Sequence, residues 1–225
     1  MRKDVYGNIL TFSQSPESRN LNPEQRRYVD KALRDGKRNG LLISEDKLEE
    51  FKMIKKKISE LKLSFGKCLS EDSSHFFTKE ENLDGVSRDV IDSMEKDETG
   101  KRKVTVKYPH LYPVMEYCKN PETRFILMKT YQSRCVQENT PRIEELIAAR
   151  HRHAIILGYP THAAFVLEER MAKNPETVRQ FLEDLTVKFK VLWNKEKAIM
   201  VDLKESEAKE LGFEFNGKLA MEDKW

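Results

Sequence analysis

Glycine is scarce in this sequence, 9 of 225 residues, and cysteine scarcer, with three. The glycines form no G-x-x-x-x-G-K-[ST] and no G-x-G-x-x-G, so the two loops that cradle phosphates on backbone N–H groups are missing. The strained G-x-S-x-G elbow of a serine hydrolase is missing too. Cys68, Cys118 and Cys135 are far apart, odd in number and in no C-x-x-C pair. They fit neither a disulfide framework nor a zinc knuckle and point to a reducing compartment. No apolar run approaches the roughly 18 residues that cross a bilayer, so no membrane is expected as a partner. The start, Met1-Arg2-Lys3-Asp4-Val5-Tyr6, lacks the apolar stretch of a secretory signal. The default compartment is the cytosol.

An excess of one charge is lacking as well. Lysine and arginine number 41 against 38 acidic residues, a net +3, and the two signs are well mixed. Phosphate-backbone binding calls for clustered positive charge, so no nucleic-acid partner is expected. Two basic runs, Lys55-Lys56-Lys57 and Lys101-Arg102-Lys103, have acidic neighbours and read as solvated surface.

Catalytic groups are equally hard to assemble. There are five histidines and none is followed by glutamate, which rules out H-E-x-x-H. His151 and His153 lie inside a predicted helix, where an i, i+2 spacing turns the rings about 200° apart, too far to share one metal. His162 follows a capping Thr161 and could approach them only through the fold; His75 and His110 are isolated. With 38 carboxylates, spacing alone nominates no acid–base pair. No catalytic, cofactor-binding or metal-ligating residue is therefore assigned.

What is present is helical. Charged residues make up 35% and hydrophobic ones 38%, and the mean hydropathy is -0.71. Wide solvated faces on amphipathic helices give such a value, as does a piece of protein separated from its packing partner. Asn22-Pro23-Glu24, Asn120-Pro121-Glu122 and Asn174-Pro175-Glu176 repeat one helix start: Asn caps free N–H groups, Pro fills the first turn, Glu faces the positive dipole end. Thr140-Pro141 reads as a fourth. The first of these helices is expected to run to about Arg34 and stop at Gly36. Ser44 opens about 25 residues of helix with a seam at Phe51, Ile54, Ile58, Leu61, Phe65 and Cys68. Thr78-Lys79-Glu80-Glu81 reads as a capping box, Ser87 as another cap, and Glu98-Thr99-Gly100 as a turn. Residues 103–108 alternate as a strand, with Phe76-Phe77 as partner. The last helix runs from Pro175 to Leu211, closed by Gly212, with Val178, Leu182, Leu185, Phe189, Leu192, Ile199 and Leu203 along one side, expected as core. Tyr108-Pro109-His110-Leu111-Tyr112-Pro113 reads as a rigid corner packed by its rings, with a peptide groove as the competing reading.

Several stretches, in order and over nearly the whole chain, resemble the thimet oligopeptidase and neurolysin group of zinc metallopeptidases. They are Gly36-Lys37-Arg38-Asn39-Gly40-Leu41, Leu69-Ser70-Glu71-Asp72, Val104-Thr105-Val106-Lys107-Tyr108-Pro109-His110, Asn120-Pro121-Glu122-Thr123-Arg124 and Glu138-Asn139. The fullest is Leu157-Gly158-Tyr159-Pro160-Thr161-His162-Ala163-Ala164-Phe165-Val166-Leu167-Glu168, continuing through Met171-Ala172-Lys173 to Phe181-Leu182. The resemblance implies an endopeptidase of the cytosol or mitochondrion that cuts short peptides. Its fold would be two largely helical lobes facing across a deep channel with zinc on the floor. The zinc would be held by an H-E-x-x-H helix and a further Glu, none of which this sequence contains.

The expectation is thus a mostly α chain, a multi-helix scaffold with a small strand or hairpin near residues 74–108. Residues 1–225 form a single helical fragment of the N-terminal lobe, with no internal boundary. As one wall of the peptide channel it is expected to be inactive alone, a monomer, with zinc and short peptides belonging to the full-length enzyme. The alternative is a non-enzymatic helical module that binds peptides or a protein.

Overall fold

Three Asn-Pro-Glu triplets punctuate the chain as their chemistry requires. The computed structural model describes residues 2–224, which form α1 (Lys3–Gln14), α2 (Pro23–Arg38), α3 (Glu45–Glu71), β1 (His75–Thr78), α4 (Arg88–Ser93), β2 (Arg102–Thr105), α5 (Tyr108–Tyr117), α6 (Pro121–Ser133), α7 (Val136–Ile156), α8 (His162–Leu167) and α9 (Pro175–Leu211), with short 3-10 turns between. The fold is mostly α. Asn22 Oδ1 accepts from Gln25 N at 2.8 Å while the Gln25 side chain accepts from Asn22 N, a complete capping box. Asn120 Oδ1 accepts from Glu122 N and Thr123 N, and Asn174 Oδ1 from Thr177 N at 2.9 Å.

The helix ends show where local reading stops. Gly36 does not terminate α2; it lies buried inside it, because a Cβ there would sit 2.2 Å from the Tyr6 ring of α1. The terminator is Gly40, at φ +88°, with Leu41 N donating to Gly36 O and Gly40 N to Lys37 O, the paired bonds of a Schellman cap. Nor does Thr140-Pro141 start a helix. Cys135 takes φ 55° and α7 begins at Val136, so Pro141 sits in its second turn and forfeits one intrahelical bond. Thr78 belongs to β1, and the capping box expected after it is a 3-10 turn over Glu80–Leu83. At the far end, Gly212 (φ +74°) closes α9 as expected.

Contacts divide the chain into two compact units, Met1–Phe65 with Thr140–Arg179 and Gly66–Asn139 with Gln180–Trp225. In the first, α1 packs on α2, and Phe51, Ala154, Leu157 and Tyr159 form a small core with Ile43 and Phe165. In the second, β1 and β2 pair antiparallel with Phe76 opposite Val104, the strand pairing read from the sequence. Leu83, Val104, Leu111, Val114 and Leu127 are fully enclosed beneath that hairpin. Each such side chain contributes about 1.5–3 kcal/mol from water exclusion.

The seam of α3 is half-covered, with only Phe51 buried. The stripe of α9 is not core. Phe181, Leu182, Phe189, Leu192, Ile199 and Leu203 face solvent, Leu192 at 48% exposed and Leu203 at 65%, while Val178 and Leu185 are half-buried. Periodicity reports an apolar face but not what covers it.

Candidate functional site

The longest stretch singled out in the sequence, residues 157–168, builds a closed network in the first unit. Gly158 (φ +82°) ends α7 and Thr161 Oγ1 caps α8 by accepting from Ala164 N. Between them Tyr159 turns inward, and its hydroxyl donates to Glu168 Oε2 at 2.6 Å. Arg38, on the last turn of α2, donates to the same Oε2 at 2.8 Å and to Phe165 O at 2.6 Å, with its guanidinium 3.9 Å from the centre of the Phe165 ring. Glu169 adds ion pairs to Arg34 and Arg38. Burial alone would raise the Glu168 carboxyl; the Tyr159 and Arg38 hydrogen bonds overcome it and hold Glu168 below the usual range. Burial, then the Glu168 charge, push the Tyr159 phenol up. These bonds make a clamp between α2 and α8.

Histidines adjoin the clamp without converging. His153 is buried, stacked on Phe51 at 5.1 Å and edge-on to Phe165 at 5.1 Å. His162 packs on the same Phe165 ring at 5.9 Å, so an aromatic side chain lies against both imidazoles. Neither Nδ1 has a hydrogen-bond partner among the described residues. Burial, reinforced by Lys55, His162 and Arg38, lowers His153 to about 4. His151 points to solvent. No three His, Cys, Asp or Glu side chains converge among the described residues. Two imidazoles spaced by a phenylalanine do not fit a hydrolytic metal, which needs three or more ligands and an open position.

The remaining candidates resolve as structure. Tyr108 and Tyr112 lie on the exposed side of α5, packed on each other at 5.2 Å, and His110 Nδ1 accepts from Thr105 N. The stretch is the first two turns of a helix, a rigid corner with its rings outside. The run Lys101-Arg102-Lys103 is not all surface: Arg102 is 5% exposed, bonded to Glu80, Asp92 and Met94 O. Its position on β2 directs it under the hairpin. A cavity of about 370 Å³ in the second unit is lined by Arg124, Lys204, Glu207 and Asp223, whose charges pair off. What sequence reasoning missed is an approach of Cys135 to Cys68, 67 positions apart, which no spacing rule reports.

Comparison with known proteins then identifies the relatives. The profile of Peptidase family M3 matches residues 114–222. A "Probable thimet oligopeptidase" of Arabidopsis thaliana is 34% identical over 212 residues, 94% of this chain and 30% of that protein. "Saccharolysin" of Saccharomyces cerevisiae is 31% identical over 219 residues, and a "Thimet-like oligopeptidase" of Dictyostelium discoideum 33% over 188. The chain belongs to the thimet oligopeptidase family. It spans about 30% of the length of these curated relatives. For this oligopeptidase-family chain, the Arg38–Tyr159–Glu168 clamp sits in the stretch of fullest resemblance. No helix among the described residues is long and apolar enough to cross a membrane.

Proposed function

We propose that this chain is a channel-wall portion of a zinc metalloendopeptidase that hydrolyses short peptides, and that it is inactive alone. The observation carrying the reading is the alignment itself: 94% of the chain matches one 30% stretch of a thimet oligopeptidase relative. The absence of H-E-x-x-H from the sequence supports inactivity, since the metal-bound water and general base of such a peptidase come from that helix. The exposed face of α9 supports a scaffold that lies against further protein. On this reading the chain is one helical fragment of an N-terminal lobe, working in the cytosol or mitochondrion, monomeric, with zinc and peptides held by residues of the full-length enzyme.

In this portion the chain's own residues do mechanical work. Arg38 and Glu168 fix α2 against α8, and Arg102 fixes the hairpin under which the second core packs. Dialysis of the purified chain against micromolar zinc tests the proposal: metal at well below one equivalent is expected. One tightly held zinc per chain would overturn it. The second reading, a peptide-binding module without catalysis, draws on a groove of about 970 Å³ lined by Met53, Ile54 and Leu61 of α3 and rimmed by Lys57 and Glu145. Saturable anisotropy of labelled short peptides, lost on Met53→Glu, would favour that reading.

A further inference from the structure

Cys135 sits at the α6–α7 junction in a left-handed backbone conformation, φ 55°, which turns its side chain towards the last turns of α3. Its Sγ donates to the carbonyl oxygen of Cys68 at 3.2 Å and lies 3.7 Å from Asp72 Oδ2. Both cysteines are half-buried, and both line a solvent-open recess of about 580 Å³ with Asp72, Ser74 and Glu138. Cys118, in contrast, is buried in the second core, with its Sγ donating to Asn82 O. Two half-buried cysteines on separate elements, with the Sγ of one against the backbone of the other and both lining one open recess, are placed for oxidation to a pair.

We propose that Cys68 and Cys135 form a dithiol modification site that a low-molecular-weight disulfide converts reversibly into an intramolecular disulfide, clipping the end of α3 to the start of α7. Cys68 acts first: its thiolate attacks one sulfur of the small disulfide, whose other half departs as a thiolate and takes up a proton. The Cys135 thiolate then attacks the Cys68 sulfur, and the second small thiolate leaves and is protonated in turn. Two protein thiols are oxidised by two electrons and one small disulfide is reduced to two thiols. The order follows from the surroundings of Cys135: the Asp72 carboxylate oxygen, 3.7 Å from its Sγ, disfavours a thiolate there and makes it the poorer first nucleophile.

The clip is independent of the peptidase reading. The reduced chain is incubated with oxidised glutathione, quenched with N-ethylmaleimide and digested with trypsin, which releases Cys68, Cys118 and Cys135 in residues 68–79, 108–119 and 135–142. The expected product is a dithiothreitol-sensitive species joining residues 68–79 to 135–142 within a monomer, with Cys118 alkylated only after unfolding. Cys135→Ser is expected to leave a persistent glutathione adduct on Cys68. The oxidised wild-type chain should melt several degrees higher than the reduced one, because the bond closes a long loop. Alkylation of both cysteines without linkage, linkage through Cys118, or a disulfide between two copies would each overturn the proposal.

Discussion

His153 carries a cost that grows with acidity. Desolvation first, then the charges of Lys55, His162 and Arg38, lower its folded-state value to about 4 from 6.5. Between these values the unfolded chain binds a proton the folded chain does not, so stability rises with pH across that window and is lost as pH falls from about 6.5 towards 4. The ceiling is about 3.5 kcal/mol, since each tenfold loss of proton affinity is worth about 1.4 kcal/mol. Urea titrations at pH 7 and pH 4.5 should show this loss, and His153→Phe should flatten that part of the profile. A second residue-scale prediction concerns Gly36. A methyl group 2.2 Å from the Tyr6 ring must displace α1 or bend α2, so Gly36→Ala should cost about 1–3 kcal/mol. In an exposed helix interior the same change is neutral or stabilising, and a rise in midpoint would refute the close approach. Neither role was legible in the sequence. Gly36 reads as a helix stop because Asp35-Gly36 resembles one, while its reason for being glycine lies 30 residues away, in Tyr6. Likewise, no spacing rule places His153 against Phe51 and Phe165.

Elements bounded by their own side chains were legible, and those bounded by distant contacts were not. Asn22, Asn120 and Asn174 mark the starts of α2, α6 and α9 because an Asn cap acts within three residues. Asn120→Ala should therefore cost about 1 kcal/mol in thermal or urea unfolding. The start of α7 was not legible because its signal is a left-handed non-glycine residue, Cys135, which carries no sequence mark, whereas Pro141 carries a strong but misleading one. α1 is hidden for the converse reason: Arg2 supplies no side-chain cap, and the helix is held by Tyr6 against α2. In α9 both ends and the apolar stripe are plain in the sequence, yet the stripe is exposed. Because Phe189 and Leu192 touch little, Phe189→Glu with Leu192→Lys should shift the unfolding midpoint by less than about 0.5 kcal/mol. The same pair should reduce dye binding and any self-association seen by sedimentation. Loss of folding would mean that α9 is packed after all.

At the scale of the molecule, α9 presents Phe181, Leu182, Phe189, Leu192, Ile199 and Leu203 to solvent among charged neighbours on the same helix, which is how a long apolar stripe coexists with a mean hydropathy of -0.71. Family membership was legible from scattered short stretches, whereas the exposure of α9 needed coordinates. The central claim, a scaffold of an oligopeptidase without chemistry of its own, is tested most directly by turnover of an internally quenched short peptide. The purified chain with one equivalent of zinc should give the buffer rate, unchanged by a chelator. Zinc-dependent cleavage that follows the chain through successive columns and disappears on substituting one of its own residues would contradict the account.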